Sequence, residues 1–322
     1  MDSRESPTSC EGAEQLRREF RAEMPVVEQY AYLDHAALGP LPRPALAAMQ
    51  LWLHEASQAG RVPWPNWSAQ VQQTRRLAAQ FLDAGETEVA LTSCTTAGIN
   101  LVAEGVDWRA GDNIVTLADE FPSNLYPWMH QRTRGVDTRM VETNRGALDL
   151  SKLREACDSR TRVVAVSWIG YSTGCRRDLH AIAEVAHARG ALFFVDAIQG
   201  LGAFPLSVAD TPIDCLAAGG QKWLLGPEAT GIAFFRRDKL DAIRPSAVGW
   251  KSMQAGFDYA KIEYNLRPDA ARHEPSAMNM PGFMALGANL AMLSRWSQEA
   301  RAGAILEISD YAVERLTGIG AQ

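Results

Sequence analysis

Apolar and polar positions fall into a repeating pattern after a polar start. Residues 1–28 are polar, and Glu14–Glu23 reads as a short charged helix outside the main core. Over residues 44–58 and 66–83 apolar positions recur at three- and four-residue spacing, which predicts two amphipathic helices. Short apolar runs then alternate with helical patterns. The runs predict strands at Val89–Thr92, Asn113–Leu117, Thr138–Val141, Arg162–Trp168, Ala191–Asp196, Asp214–Ala217 and Gly231–Phe235. Between the fourth and fifth, Arg177–Arg189 sets Leu179, Ile182, Ala183 and Ala186 on one face and stops at Gly190, a helix with a C-terminal glycine. Strands apolar throughout, separated by helices, imply a mostly parallel sheet covered on both faces. Residues 283–318 predict one or two further helices, with Phe283, Leu286, Leu290 and Leu293 as a stripe.

Composition narrows the class. A chain of 322 residues accommodates two domains, or one large domain with an appendage, around a sizeable core. Its 47% hydrophobic and 22% charged residues exclude wholesale disorder and fibrous structure. The net charge is −6 and no block of Lys or Arg stands out, which argues against nucleic acid or an anionic membrane as partner. Five cysteines, Cys10, Cys94, Cys157, Cys175 and Cys215, form no C-x-x-C pair, so free thiols in a reducing compartment are expected. Residues 1–25 carry ten charges and no apolar stretch of a signal peptide. The longest uncharged stretch, Pro275–Ser294, is interrupted by Pro281, Asn279 and Asn289 and makes a poor membrane span. The expected location is the cytoplasm. A nicotinamide-binding fold is disfavoured: no G-x-G-x-x-G follows the first strand, and Gly200-Leu201-Gly202 lacks the third glycine.

Four segments carry chemistry. In Ser93-Cys94-Thr95-Thr96-Ala97-Gly98 a strand runs into hydroxyl residues and a helix start, an arrangement that binds anions; plain N-capping by Thr95 accounts for the same pattern without a ligand. In Val195-Asp196-Ala197-Ile198-Gln199 an acid ends an apolar strand, where open α/β sheets bind ligands, although Asp196 could equally cap the following helix. In Gly219-Gly220-Gln221-Lys222-Trp223 a lysine follows a strand and precedes apolar residues, a setting that lowers an amine's pKa and suits Schiff-base formation. The alternative is a lysine stem lying on the Trp223 ring with its head in water. In Glu120-Phe121-Pro122-Ser123-Asn124, Phe121 is either core or a platform for a planar ring.

In this order the segments resemble the class V aminotransferase family of pyridoxal-phosphate (PLP) enzymes, which includes the cysteine desulfurases, over about residues 30–290. The resemblance implies the α/β PLP-transferase fold of type I, a mostly parallel central sheet flanked by helices, and a homodimer. It divides the chain into an arm (1–28), a large PLP-binding domain (29–282) and the helical start of a truncated small domain (283–322). It implies that Lys222 carries the PLP and shuttles the α-proton, and that Asp196 faces the ring nitrogen. It further assigns Gln199 to the ring hydroxyl, Thr95, Thr96 and Gln221 to the phosphate, Phe121 to stacking, and Asn279 to a loop reaching the partner subunit. No metal is expected. The function implied is action on a small amino-acid substrate through an external aldimine and α-proton abstraction, with amino transfer first. Cysteine desulfurase, epimerase or lyase chemistry, or a catalytically impaired PLP-binding relative, are the alternatives. Several positions depart from the pattern. Phe121 and Gln221 stand where many relatives have His, Gly219 replaces a common Ser, Ala277 lacks the usual hydroxyl, and Trp168 stands where desulfurases tend to have Asn. No cysteine matches the desulfurases' sulfur acceptor. Pocket shape is expected to depend on Tyr32–Leu38, Trp168 and Tyr171.

Overall fold

The computed structural model describes residues 10–320; the first nine residues of the polar arm, the last two residues and the Cys10 and Glu11 side chains lie outside the described residues. Seven strands form one sheet: β1 (Val89–Thr92), β2 (Asn113–Leu117), β3 (Asp137–Val141), β4 (Thr161–Ser167), β5 (Leu192–Asp196), β6 (Cys215–Gly219) and β7 (Gly231–Phe235). Their order is β1-β7-β6-β5-β4-β2-β3. The pairs from β6 across to β3 are parallel, and β7 is antiparallel to both of its neighbours.

All the strands but the edge strand β3 are mostly apolar because both faces are covered. Along β5, Phe193 and Val195 enter the core on one face, and Phe194 enters the core on the other. The first face receives α3 (Trp64–Leu82), α7 (Leu179–His187) and α8 (Met280–Leu293), each contributing buried residues to one cluster. The second receives α4 (Thr95–Gly105) and Trp128 from the short α5 (Tyr126–His130). Helix α6 (Leu150–Ala156) buries Leu153 on the first side, and α2 (Arg43–Ala59) packs on α8.

Residues 283–318 divide at Ser297, whose hydroxyl accepts from the Ala300 N–H at 3.1 Å and starts α9 (Gln298–Gly318). Phe283, Leu286, Leu290 and Leu293 are all buried in the first-face core. The described arm, α1 (Cys10–Ala22), lies against the start of α9. Phe20 packs on Trp296 with ring centroids 5.9 Å apart, and Arg17 pairs with Glu307 at 3.0 Å. Strand β6 begins one residue later than its apolar run suggested. The buried Asp214 carboxylate instead accepts from the Phe193 N–H at 2.8 Å and contacts His187 at 2.9 Å.

The edge strand β1 is covered by a buried ion pair. Arg75 of α3 meets Glu274 through both terminal guanidinium nitrogens, at 2.5 and 2.9 Å. Glu274 also accepts from the Leu91 N–H at 2.8 Å, and Arg75 donates to the Val89 carbonyl at 2.7 Å. Backbone groups that an edge strand leaves unpaired are therefore bonded within the fold.

Candidate active site

Because β7 alone runs backwards, β1, β6, β5, β4 and β2 end on one edge of the sheet. A cavity of about 560 Å³ opens there, the size of a small-molecule site, at the strand ends where open α/β sheets bind ligands. Thr95, Thr96, Phe121, Asp196, Gln199, Gln221 and Lys222 all line it. These residues follow four different strands, and the sheet brings them together.

The anion end is built by α4. A Cβ on Gly98 would fall 2.6 Å from the Ala217 Cβ, so the bare glycine lets the helix lie directly on β6. The N-cap is Cys94, not Thr95: its sulfur accepts from the Ala97 N–H at 3.4 Å. Thr95 is thereby released to bridge to the sheet, its hydroxyl accepting from the Gly219 N–H at 2.8 Å. Thr96 donates to the Ser123 hydroxyl at 2.9 Å. At Gly219 a Cβ would sit 2.3 Å from the Gln221 Oε1, so the Gln221 amide occupies the space a serine would need.

Asp196 ends β5, in register with Ser167 and Ala217 on either side. It is buried, and one oxygen accepts from the Ile198 N–H at 3.0 Å, so it caps a turn and not a helix. Burial lifts its carboxyl to about 7, with the Glu120 charge adding to the rise and Lys222 opposing it. Burial likewise pushes the Lys222 amine below its ordinary value, against the pull of Asp196 and Asp34. The Trp223 indole stacks on His35 at 5.6 Å and donates to the Gln199 Oε1 at 3.0 Å. Lys222 Nζ lies 5.9 Å from the Phe121 ring centroid. Gln199 donates to the Ala36 carbonyl at 2.9 Å, and a primary amide carries a second N–H. The N-terminal segment is laced to the lysine turn: Gly39 N–H donates to the Gln221 carbonyl at 2.7 Å, and a Cβ on Gly39 would lie 2.2 Å from the Lys222 oxygen.

Phe121 is half exposed and meets Tyr171 edge-on at 5.2 Å; both line the cavity. Of the segment Tyr32–Leu38, residues Asp34, Ala36 and Ala37 reach the lining. Trp168 does not. It is buried beneath the turn after β5, where a Cβ on Gly200 would come within 2.1 Å of its ring. Asn279 caps α8, accepting from the Gly282 N–H at 3.1 Å, and is not part of the lining within this chain. Glu120, Asn124 and Arg177, which the sequence reading passed over, form a buried polar group beside Asp196. Its one sequence signal is a string of polar residues directly after an apolar strand.

The family described as aminotransferase class-V matches residues 31–321. The chain belongs to the class-V aminotransferase family. It is 32% identical over 282 residues to a probable cysteine desulfurase of Methanothermobacter thermautotrophicus, covering 86% of this chain and 70% of that protein. Its fold matches the cystine C–S lyase C-DES, solved with glycine covalently linked to its PLP cofactor, with a TM-score of 0.87 and 24% identity, over 92% of this chain and 80% of that one. The apo cysteine desulfurase of Thermococcus onnurineus superposes with a TM-score of 0.77 at 25% identity, over 92% and 72%. This class-V member therefore has the type I PLP-transferase fold, and the cofactor of its family is pyridoxal phosphate. Among the described residues, no helix is long and apolar enough to cross a membrane.

Proposed function

We propose that this class-V member holds pyridoxal phosphate at Lys222 and acts at the α-carbon of a small amino acid, with amino transfer as its reaction. The observation that carries the reading is the meeting of a half-buried amine, a buried carboxylate and a helix start in one cavity. The donor set fits the cofactor: neutral hydroxyls and an amide at the start of α4 for a phosphate, a carboxylate for a ring nitrogen, an amine for an aldehyde.

When bound, the cofactor supplies a carbonyl for amines and a ring that takes up electrons from the α-carbon. The chain's residues do the rest. Lys222, made less basic by its partial burial, keeps more of its amine in the nucleophilic form than a free lysine does, and its Nζ can hold and return a proton. Asp196 holds a positively charged nitrogen in a place where water does not compete. Thr95, Thr96 and Gln221 orient the anion, and Gln199 offers an amide N–H to the ring edge. Phe121 walls the cavity without a proton to give. That leaves Lys222 as the proton carrier beside it, as amino transfer requires. Cleavage of a carbon–sulfur bond in a cysteine-type substrate is the second reading, favoured by the name of the relative that is 32% identical. We further propose a homodimer, with Asn279 at the α8 start facing the partner's cavity.

The test is a visible spectrum before and after borohydride, followed by product analysis with a panel of amino acids. A yellow protein that bleaches with the label on Lys222, and that turns an amino acid into its keto acid only while a second keto acid is aminated, supports the first reading; from cysteine, alanine with its sulfur released as sulfide once an added thiol reduces it, or pyruvate with ammonia and sulfide, supports the second. A protein that stays colourless with added pyridoxal phosphate overturns both. Lys222→Ala should lose the bleachable colour and roughly 10³-fold or more in turnover.

A further inference from the structure

Beside Asp196 lies a second buried carboxylate, Glu120, which follows β2 by three residues. Its oxygens accept from the Ser167 N–H at 2.7 Å, from the Ser167 hydroxyl, and from the Asn124 amide at 2.9 Å. Asn124 is itself fixed by the Trp128 indole at 2.9 Å. Arg177 approaches Glu120 at 3.8 Å but spends its fork elsewhere, on Asp119 at 3.0 and 3.1 Å and on the Ser167 carbonyl at 2.9 Å. Ser167 is the β4 residue in register with Asp196, and the next residue, Trp168, donates its N–H to the Asp196 carbonyl at 2.9 Å. The last rung beside Asp196 is thus clamped by Glu120.

We propose that Glu120 is a positioning residue for Asp196: it holds the β4 rung through Ser167, and its negative charge makes the Asp196 end of the cavity a place where a proton, or a protonated ring nitrogen, is retained. Burial pushes the Glu120 carboxyl up, and the Ser167 and Asn124 donors and Arg177 work against that rise to hold it charged; a neutral glutamine keeps one acceptor oxygen for these donors but sets its N–H2 against one of them. What glutamine cannot supply is the field. A like charge raises the proton affinity of a neighbouring carboxylate, and the same field stabilises a cation held against it. The charged groups around Asp196 are Glu120 after β2, Lys222 after β6, Asp34 from the N-terminal segment and Arg177 behind Glu120. Of these, Glu120 and Lys222 act on Asp196 in opposite directions. The part concerning a ring nitrogen rests on the proposed function; the part concerning the proton on Asp196 does not.

The experiment is a ¹³C NMR titration of aspartate carboxyls in the full chain without cofactor, with Asp196→Asn used to identify the resonance. Glu120→Gln should move the Asp196 midpoint down by roughly one pH unit or more, since at an effective dielectric of about 20 a like charge gives about one unit at ~12 Å and more when nearer. Glu120→Asp, which keeps the charge, should restore most of it. Ser167→Ala, which keeps the charge but withdraws a donor, should leave the midpoint in place or raise it, and it stands in if Glu120→Gln does not fold. An unchanged midpoint in Glu120→Gln overturns the proposal, and so does a downward shift of equal size in Ser167→Ala, which would mark simple loosening of the strand. If the shifts appear but borohydride never labels Lys222, the cofactor reading falls and the coupling of Glu120 to Asp196 stands. If Lys222 is labelled and the midpoint does not move, the reverse holds.

Discussion

His273 shows what burial does to a single side chain. Its ring stacks on Phe235 at 4.5 Å, neither ring nitrogen has a partner, and burial lowers its pKa to about 4. The unfolded chain binds the proton near 6.5, so it takes up protons sooner than the fold does. The neutral ring's contribution is therefore complete above pH 6.5 and is lost as the pH falls toward 4. The total is on the order of 3 kcal/mol. His273→Phe should flatten this part of the stability–pH curve and leave the protein at least as stable at pH 7. Urea unfolding at pH 7.5 and 5 checks it, and equal slopes in both proteins would refute the assignment. At this same scale the site was largely readable. Lys222, Asp196 and Gln199 stand at strand ends with distinctive neighbours, and strand ends meet at one edge. Glu120 and Arg177 were not readable, because their meaning lies in a pairing across 57 positions of chain that no local pattern marks. Trp168 was misjudged for a related reason: the residue after a strand can turn into the cavity or under it, and here the absence of a Cβ at Gly200 draws it under.

Among elements, the contact of α4 with β6 decides the anion end of the cavity. One missing methyl at Gly98 sets the depth of the helix, and Thr95 bonds to Gly219 only at that depth. Gly98→Ala should cost about 1–3 kcal/mol in unfolding, as overpacking does, and should weaken pyridoxal phosphate retention measured by equilibrium dialysis. Ala217→Gly in the same chain removes the colliding methyl and should recover most of the retention. If the pair behaves no better than Gly98→Ala alone, the depth argument is wrong. The strands themselves were legible almost to the residue, since all but the half-exposed β3 are buried on both faces and so mostly apolar. The start of α4 was not. Cys94 and Thr95 are both small polar residues at a strand-to-helix junction, and the backbone, not composition, selects the cap.

For the whole molecule, the Arg75–Glu274 pair ties the segment leading into α8 to the sheet edge. Both partners are buried, so removing one strands the other's charge in the core. Glu274→Ala should cost about 3–5 kcal/mol in unfolding free energy, visible as a lower urea midpoint, and should raise light scattering on heating as β1 loses its cover. A loss under 1 kcal/mol would mean water reaches Arg75 in the folded protein.

The backward course of β7 has a consequence for how this chain can change over generations. Every residue that lines the cavity lies between Asp34 and Lys222. From β7 onward the chain departs from the far edge of the sheet and returns as α8, which packs into the first-face core and supports the turn after Lys222, where Asn289 holds the Leu225 carbonyl. Contents and scaffold are thus written in separate stretches. Apart from Asn279 at the α8 start, substitutions after residue 230 can adjust rigidity, assembly or access while leaving the cavity's inventory of chemical groups untouched, so descendants of such a chain can diversify in form without first surrendering their chemistry.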